Sequence, residues 1–366
     1  MKKHFSILGI VFGFVLAFSL SGDETNYNFI ALGDLHYADS QFYPVRHPDK
    51  QKLINQYIGM WKTNSPDLLR AARRRAAAES PAFVVQLGDL INGVCENQAI
   101  QERMLRTGFF QLKAFFPKIP LYVITGNHDI QLRREHSSAP AEKVLYPLIS
   151  KELGGKQLKY GNYVFRKGPD LFIAVNSADS KADSLGFIRK SLEDHPETRY
   201  VFLLTHHPVI PAAVNGPLNL IYDYDKIADL LEKRKTFIMA AHTHVFSLIS
   251  RVSKKGKLSQ MVFVSLGKFW YGNSFFSRFF GNDLKVCSNW DEYARTIQSR
   301  LARKKKTSRL YLAFDDITWM GKYTASFFDE KSGFALLRVN DQRVTVEIYI
   351  DDSGKPAQTL TVLENK

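Results

Sequence analysis

The sequence predicts an α/β fold, on three observations. Short apolar runs of strand length alternate with longer segments of helical spacing. Several of those runs end in glycine or in a small cluster of Asp, Asn and His. The 366-residue chain is 45% hydrophobic and 23% charged, the balance of a folded globular protein and not of a disordered, collagen-like or polytopic membrane chain.

The elements follow in order. Lys2 and Lys3, an apolar run from Phe5 to Leu20, and the small exit Ser19-Leu20-Ser21-Gly22 read as a signal peptide over residues 1–21. The run is short for a spanning helix, which needs about 20 apolar residues, so an uncleaved anchor is the second reading. Export, to the periplasm or the outside, is therefore expected, with residues 22–366 as the working protein. Asn28–Leu32 is a strand ending at Gly33. Ser65-Pro66-Asp67 predicts a helix start: a capping Ser, Pro at the first helical position and an acid in the first turn. Phe83–Leu87 is a buried strand ending at Gly88. A helix near Gln98–Phe116 precedes the strand Leu121–Ile124, which ends near Gly126.

Further strands fall at Leu171–Val175, Tyr200–Leu204, Phe237–Ala240 and Gln260–Leu266, and Leu185, Ile188 and Leu192 form a helical stripe. Phe334–Val339 and Val344–Ile350 read as a hairpin around Asn340-Asp341-Gln342. Residues 272–322 are aromatic and basic, and read as an insertion on the main domain, with a separate domain as the alternative. From Arg295 to Arg309 there is no acid. Both a solvated helix face and a contact with an anionic surface (phospholipid, lipopolysaccharide or nucleic acid) fit that run. No obligate protein partner is evident. Lys and Arg number 50 against 36 Asp and Glu, for a net charge of +14. Two cysteines exclude a disulfide-rich scaffold or an all-cysteine metal site. Cys95 and Cys287 fit either a disulfide or two separate thiols.

Chemistry-bearing residues gather just past the strands, where α/β sheets bind ligands. Asp34-Leu35-His36 places an oxygen and a nitrogen on one side if the segment is extended. Alone the triplet says little, since about one D-x-H is expected by chance in a chain of this length. Asp89 follows the apolar run Phe83–Leu87 and needs a partner if buried. Gly126-Asn127-His128-Asp129 offers a neutral oxygen from Asn127, an acid or phosphate contact from His128, and Asp129 to orient the His128 ring. Thr205-His206-His207-Pro208 and Ala241-His242-Thr243-His244 complete five strand ends. The candidate ligands are Asp34, His36, Asp89, Asn127, His206, His242 and His244. Oxygen and imidazole donors without thiolate suit zinc, manganese or iron. Seven are too many for one tetrahedral ion and suit two metals sharing a carboxylate.

The series D-x-H, G-D, G-N-H-D, H-H-P and x-H-x-H resembles the calcineurin-like metallophosphoesterases, over Asp34 to His244. The Gly333–Ile350 hairpin is similar to the strands that close that family's fold. The resemblance implies a four-layer α/β/β/α sandwich of two mixed sheets flanked by helices. It also implies that Asp34, His36 and His244 hold one metal, that Asn127, His206 and His242 hold the other, and that Asp89 bridges them. His128 would contact the phosphate or assist the leaving group. Two divalent or mixed-valence ions (Mn, Fe or Zn) keep such a site cationic, suited to a phosphorylated substrate. The implied reaction is attack of a bridging hydroxide on the phosphorus of a monoester or diester. A non-catalytic binding platform and a nuclease or phospholipid-directed phosphodiesterase are the alternatives. Three departures stand out: Ala241 replaces the usual Gly, Asn92 stands where the purple acid phosphatases have a metal-binding Tyr, and His207 has no ligand role.

Overall fold

The computed structural model describes residues 25–46, 49–210, 220–244, 246–253, 256–267, 323–329 and 331–365. The proposed signal peptide, the whole aromatic and basic segment 272–322 with Arg295–Arg309, and Cys287 lie outside these residues. Cys95 is buried, with its thiol 3.5 Å from the sulfur of Met104. No helix among the described residues is long and apolar enough to cross a membrane.

The chain begins with strand β1 (Tyr27–Leu32), helix α1 (Gln51–Glu79), β2 (Val84–Gln86), α2 (Gln98–Phe115) and β3 (Leu121–Val123). Then come α3 (Tyr146–Glu152), β4 (Tyr163–Lys167), β5 (Asp170–Val175), α4 (Ser184–Asp194), β6 (Val201–Thr205), α5 (Tyr224–Leu231) and β7 (Thr236–Ala240). Among the described residues the later elements are strands: β8 (Phe246–Ser253), β9 (Gly256–Val262), β10 (Tyr323–Asp329), β11 (Phe334–Val339), β12 (Arg343–Tyr349) and β13 (Gln358–Glu364). Six strands form one sheet in the order β13-β12-β11-β1-β2-β3, and seven form the other in the order β10-β8-β9-β7-β6-β5-β4. Both sheets are mixed. β1, β2 and β3 run parallel, as do β5, β6, β7 and β9; antiparallel strands extend the first sheet beyond β1 and the second on both sides. β1 lies between β2 and β11, with Tyr27 opposite Val339.

Alternation within the strands explains the layers. From the second sheet, Phe172, Phe202 and Phe237 join the main core against the first sheet. Leu171, Ile173, Val201, Leu203 and Ile238 face the other way, packing with Ile188 of α4 and Ile227 of α5. The two sheets meet through rings: Phe29 lies edge-on to Phe172 at 5.6 Å and to Phe202 at 5.8 Å. At one end Arg199 ties them with hydrogen bonds to Asp170 and to the Thr25 carbonyl, while Tyr27 donates to the same carboxylate at 2.8 Å.

Three expectations are corrected. The first helix does not start at Ser65. α1 begins at Gln51 and carries Pro66 inside it, with the Ser65 hydroxyl buried and lacking a partner among the described residues. An internal proline costs about 3 kcal/mol. The buried stripe of Ile54, Tyr57 and Met60 ahead of it, continued by Leu69, Ala72 and Ala76, outweighs that cost. The strand expected over Gln260–Leu266 ends at Val262. Beyond it, Leu266 N–H and the Ser265 hydroxyl donate to the Asp34 carbonyl at 2.9 and 3.0 Å, leaving the ladder for the site. β4, β8, β10 and β13 were not foreseen. The hairpin of β11 and β12 is where the sequence placed it, its turn closed by Asn340 Oδ1 accepting from the N–H groups of Gln342 and Arg343.

Candidate metal centre

The parallel strands of the two sheets bring their C-terminal ends to one edge. Asp34 follows β1, Asp89 follows β2, Asn127 follows β3, His206 follows β6, and His242 follows β7. The ends are knitted by main-chain bonds. Leu35 and His36 N–H both donate to the Asp89 carbonyl, and Ala241 N–H donates to the His206 carbonyl. Gln86 donates from its side-chain amide to the carbonyls of Gly33 and Gly88, binding the ends of β1 and β2. Two glycines permit the approach: a Cβ on Gly88 would lie 2.5 Å from His206 Nδ1, and one on Gly126 would lie 2.1 Å from Asp89 N.

The expected mechanism of convergence needs correction. Pleat alternation does not place His36 beside Asp34, or His244 beside His242, because β1 and β7 have already ended. His36 (φ 48°), Asp89 (φ 51°), His242 (φ 69°) and His244 (φ 56°) sit instead in left-handed turns. Such backbone costs about 1 kcal/mol or more per residue for a side chain with a Cβ. Ala241 is absent from this set, so the missing glycine exacts no strain there.

The seven candidate ligands converge in two groups. In the first, Asp34, His36, Asp89 and His244 present ligand atoms within 4.8 Å of one another. His36 Nε2 lies 3.2 Å from His244 Nε2, and His244 Nε2 lies 3.4 Å from Asp34 Oδ2. In the second, His206 Nε2 lies 3.0 Å from Asn127 Oδ1 and 3.1 Å from His242 Nδ1, and His207, given no ligand role from the sequence, presents a ring nitrogen within 4.8 Å of both histidines' ligand atoms. Asp89 Oδ2 faces both groups, 3.8 Å from His36 Nε2 and 3.4 Å from His206 Nε2. His206 turns its Nδ1–H to the Leu87 carbonyl at 2.9 Å, which aims the Nε2 lone pair inward. Paired imidazole nitrogens at this spacing, rimmed by carboxylates and an amide oxygen, are a set of converging nitrogen and oxygen donors. That set fits two hard or borderline cations.

Charge is arranged around Asp89. Burial opposes its ionisation, but His206 and His128 outweigh that and hold its carboxyl well below the usual range. Burial pushes Asp34 well above the range, and burial and then the Asp89 charge push Asp129 up to about 7. Burial alone would lower His206; the carboxylates of Asp89 and Asp34 raise it to about 9. Burial lowers His36 and His242 well below the ordinary range and brings His207 and His244 down to about 3.

These shifts predict the pH dependence of the metal-free protein. The four lowered histidines stay neutral when folded but protonate near 6.5 when unfolded, so their stabilisation is complete above about 6.5 and is lost as pH falls, by about 1.4 kcal/mol per unit for each. Asp34 and Asp129, raised on folding, work the other way and offset two of the four. His206 is stabilising below about 6.5 and loses that contribution as pH rises through about 9. Thermal unfolding of chelated protein should therefore peak near pH 6.5. Metal loading should flatten the alkaline arm, since a cation takes the place of the His206 proton. A melting temperature still rising between pH 7 and 9 in chelated protein would contradict this.

His128 stands beside the groups and belongs to neither. Its N–H donates to Asp89 Oδ1 at 2.8 Å, and its ring lies 4.8 Å from that of His36. Asp129 does not orient that ring. Its carboxylate accepts the N–H groups of Gly126 at 2.8 Å and Ile91 at 3.1 Å, so it braces two loops. The ring is held by the Asn92 carbonyl, 2.5 Å from His128 Nδ1. Sequence reading missed this because a main-chain acceptor has no residue signature. It also missed Tyr57 of α1, whose ring lies 4.5 Å from that of His36. Ser177, after β5, was missed too: its hydroxyl accepts the His207 N–H at 2.9 Å and lies 3.0 Å from His207 Nδ1, fixing that ring 4.3 Å from His242.

Comparison with known proteins follows the same lines. A dimetal phosphatase from Danio rerio superposes with a TM-score of 0.53 at 13% identity, covering 93% of this chain and 99% of that one. GAP50, the anchor in the inner membrane complex of Plasmodium, gives 0.50 at 10% identity, over 93% and 90% of the two chains. PhoD gives 0.50 at 9% identity, over 93% and 68%. At these identities the likeness is one of fold. No curated protein matches the sequence. The calcineurin-like phosphoesterase family model matches residues 27–246, which is more than half of the chain and spans all seven candidate ligands, and the chain belongs to that family.

Proposed function

We propose that the protein hydrolyses phosphoric esters with two metal ions held at the strand ends. The observation that carries this is the Asp89 carboxylate, buried between two groups of imidazole and oxygen donors. Asp34, His36 and His244 would hold one ion, Asn127, His206 and His242 the other, and Asp89 both. When bound, such a pair polarises phosphoryl oxygens and makes hydroxide available near neutral pH.

The chain's own residues supply the rest. The left-handed turns at His36, His242 and His244 fix ligand directions before substrate arrives. His128, with Nδ1 turned to the Asn92 carbonyl, keeps Nε2 to meet the phosphoryl group or to give a proton to the departing oxygen. The family and the neighbouring folds support the reaction class. The choice between monoester and diester is a question of rates.

The test compares p-nitrophenyl phosphate with bis(p-nitrophenyl) phosphate, using protein loaded with manganese, iron or zinc and then chelated. Turnover should fall at least about a hundredfold on chelation, and the ratio of the two rates assigns the preference. Absence of turnover of either ester with two ions bound would overturn the proposal and favour a non-catalytic platform.

A further inference from the structure

The Asn92 carbonyl is itself held in place. Asn92 and Gly93 form a turn after β2, with Gly93 at φ 65°. A Cβ on Gly93 would lie 2.3 Å from the His128 carbonyl, so the turn presses directly on the His128 main chain. The Tyr43 hydroxyl clamps this turn from two sides. It donates to the Gly93 carbonyl at 3.0 Å and accepts from Asn92 Nδ2 at 2.9 Å. Between those two anchors lies the peptide whose oxygen meets His128 Nδ1. Asn92 N–H is tied in turn to the Tyr37 carbonyl at 3.0 Å.

Tyr43 is well placed to hold a direction. It closes the short 3-10 turn Ser40–Phe42, whose start is capped by Asp39 accepting from Gln41 N–H at 3.0 Å, and its own N–H donates to the Ser40 carbonyl at 3.1 Å. Phe42 is buried beside it. Burial keeps the phenol protonated, so the hydroxyl remains a donor.

We infer that Tyr43 is a positioning residue for His128: through the Asn92–Gly93 turn its hydroxyl aims a carbonyl at Nδ1 and so fixes which ring nitrogen carries the proton. A carbonyl only accepts, so the contact requires the proton on Nδ1 and leaves Nε2 as the nitrogen that takes up the second proton of the imidazolium and gives it to the leaving oxygen. Without the clamp the peptide can rotate, and the ring loses its single tautomer and aim. The inference rests on the reading of His128 as the proton donor to the leaving oxygen.

Tyr43→Phe deletes one hydroxyl and keeps the ring. In metal-free full-length protein labelled with ¹⁵N, long-range ¹⁵N–¹H spectra under conditions where His128 is neutral should show protonated Nδ1 in the parent chain and a mixture of tautomers in Tyr43→Phe. In the metal-loaded enzyme, Tyr43→Phe should slow phenyl phosphate, whose leaving group needs a proton, about tenfold more than p-nitrophenyl phosphate. An unchanged tautomer with equal losses on both esters overturns the inference. If Tyr43→Phe does not fold, Asn92→Ala, which keeps the carbonyl and deletes the amide bound to Tyr43, is read in the same two ways. His128→Ala is the control. If it shows no leaving-group dependence, the donor role of His128 fails, while the tautomer spectra still decide whether Tyr43 sets the ring.

Discussion

Asp89→Asn loses at least about a thousandfold in turnover and loses metal with it. The substitution is close to isosteric, and Oδ1 can still accept the His128 N–H, so the loop after β3 keeps its anchor. What disappears is the charge facing both donor groups, 3.8 Å from His36 Nε2 and 3.4 Å from His206 Nε2. Removing groups that merely support a metal ligand costs 10- to 100-fold in affinity as an order of magnitude; removing charge from a shared ligand weakens both ions at once. The variant should bind manganese or zinc at least about a hundredfold more weakly. In the metal-free state His206 should also lose the largest interaction that raises it, so its titration moves down from about 9. Metal analysis beside kcat/KM checks the first part, and NMR titration of His206 the second. Two ions retained with near-normal turnover would remove Asp89 from the shared position.

His128→Ala has the opposite signature. Metal content should stay at two ions, because the ring belongs to neither donor group. The backbone N–H that binds Asp89 survives the change. Loss of a positioned proton donor should lower kcat by about 10²–10⁴ with KM little changed. Stoichiometric metal together with parental kcat would show that His128 has no part in turnover.

The candidate ligands were legible because each is a chemically distinctive residue set just past an apolar run. Asp34, Asp89, Asn127, His206 and His242 are marked that way, and the order of their motifs pointed to the family. The geometry that assembles them was not legible. D-x-H and H-x-H look like extended segments, whereas the structure turns both through left-handed backbone. Asn92 shows the limit most clearly: its identity suggested only what it replaced, and its contribution is a main-chain oxygen. Pro66 misled for a related reason. Local helix signals describe where a helix can begin, and the apolar stripe of Ile54, Tyr57 and Met60 extended it through them. The strand β4 was hidden by its mixed burial, with Arg166 exposed beside buried Phe165.

The pairing of β1 with β11 sets a schedule for synthesis. β1 leads directly to Asp34 and His36, yet one of its two flanking strands is made roughly 300 residues later. Until then the nascent chain exposes the free edge of an apolar strand, a template for pairing with other chains. A ribosome stalled before residue 334 would therefore present all seven ligands while the first sheet still lacks β11, β12 and β13. Metal acquisition should accordingly follow the pairing of β11 with β1, and a holding chaperone would find its target in the uncovered edge of β1.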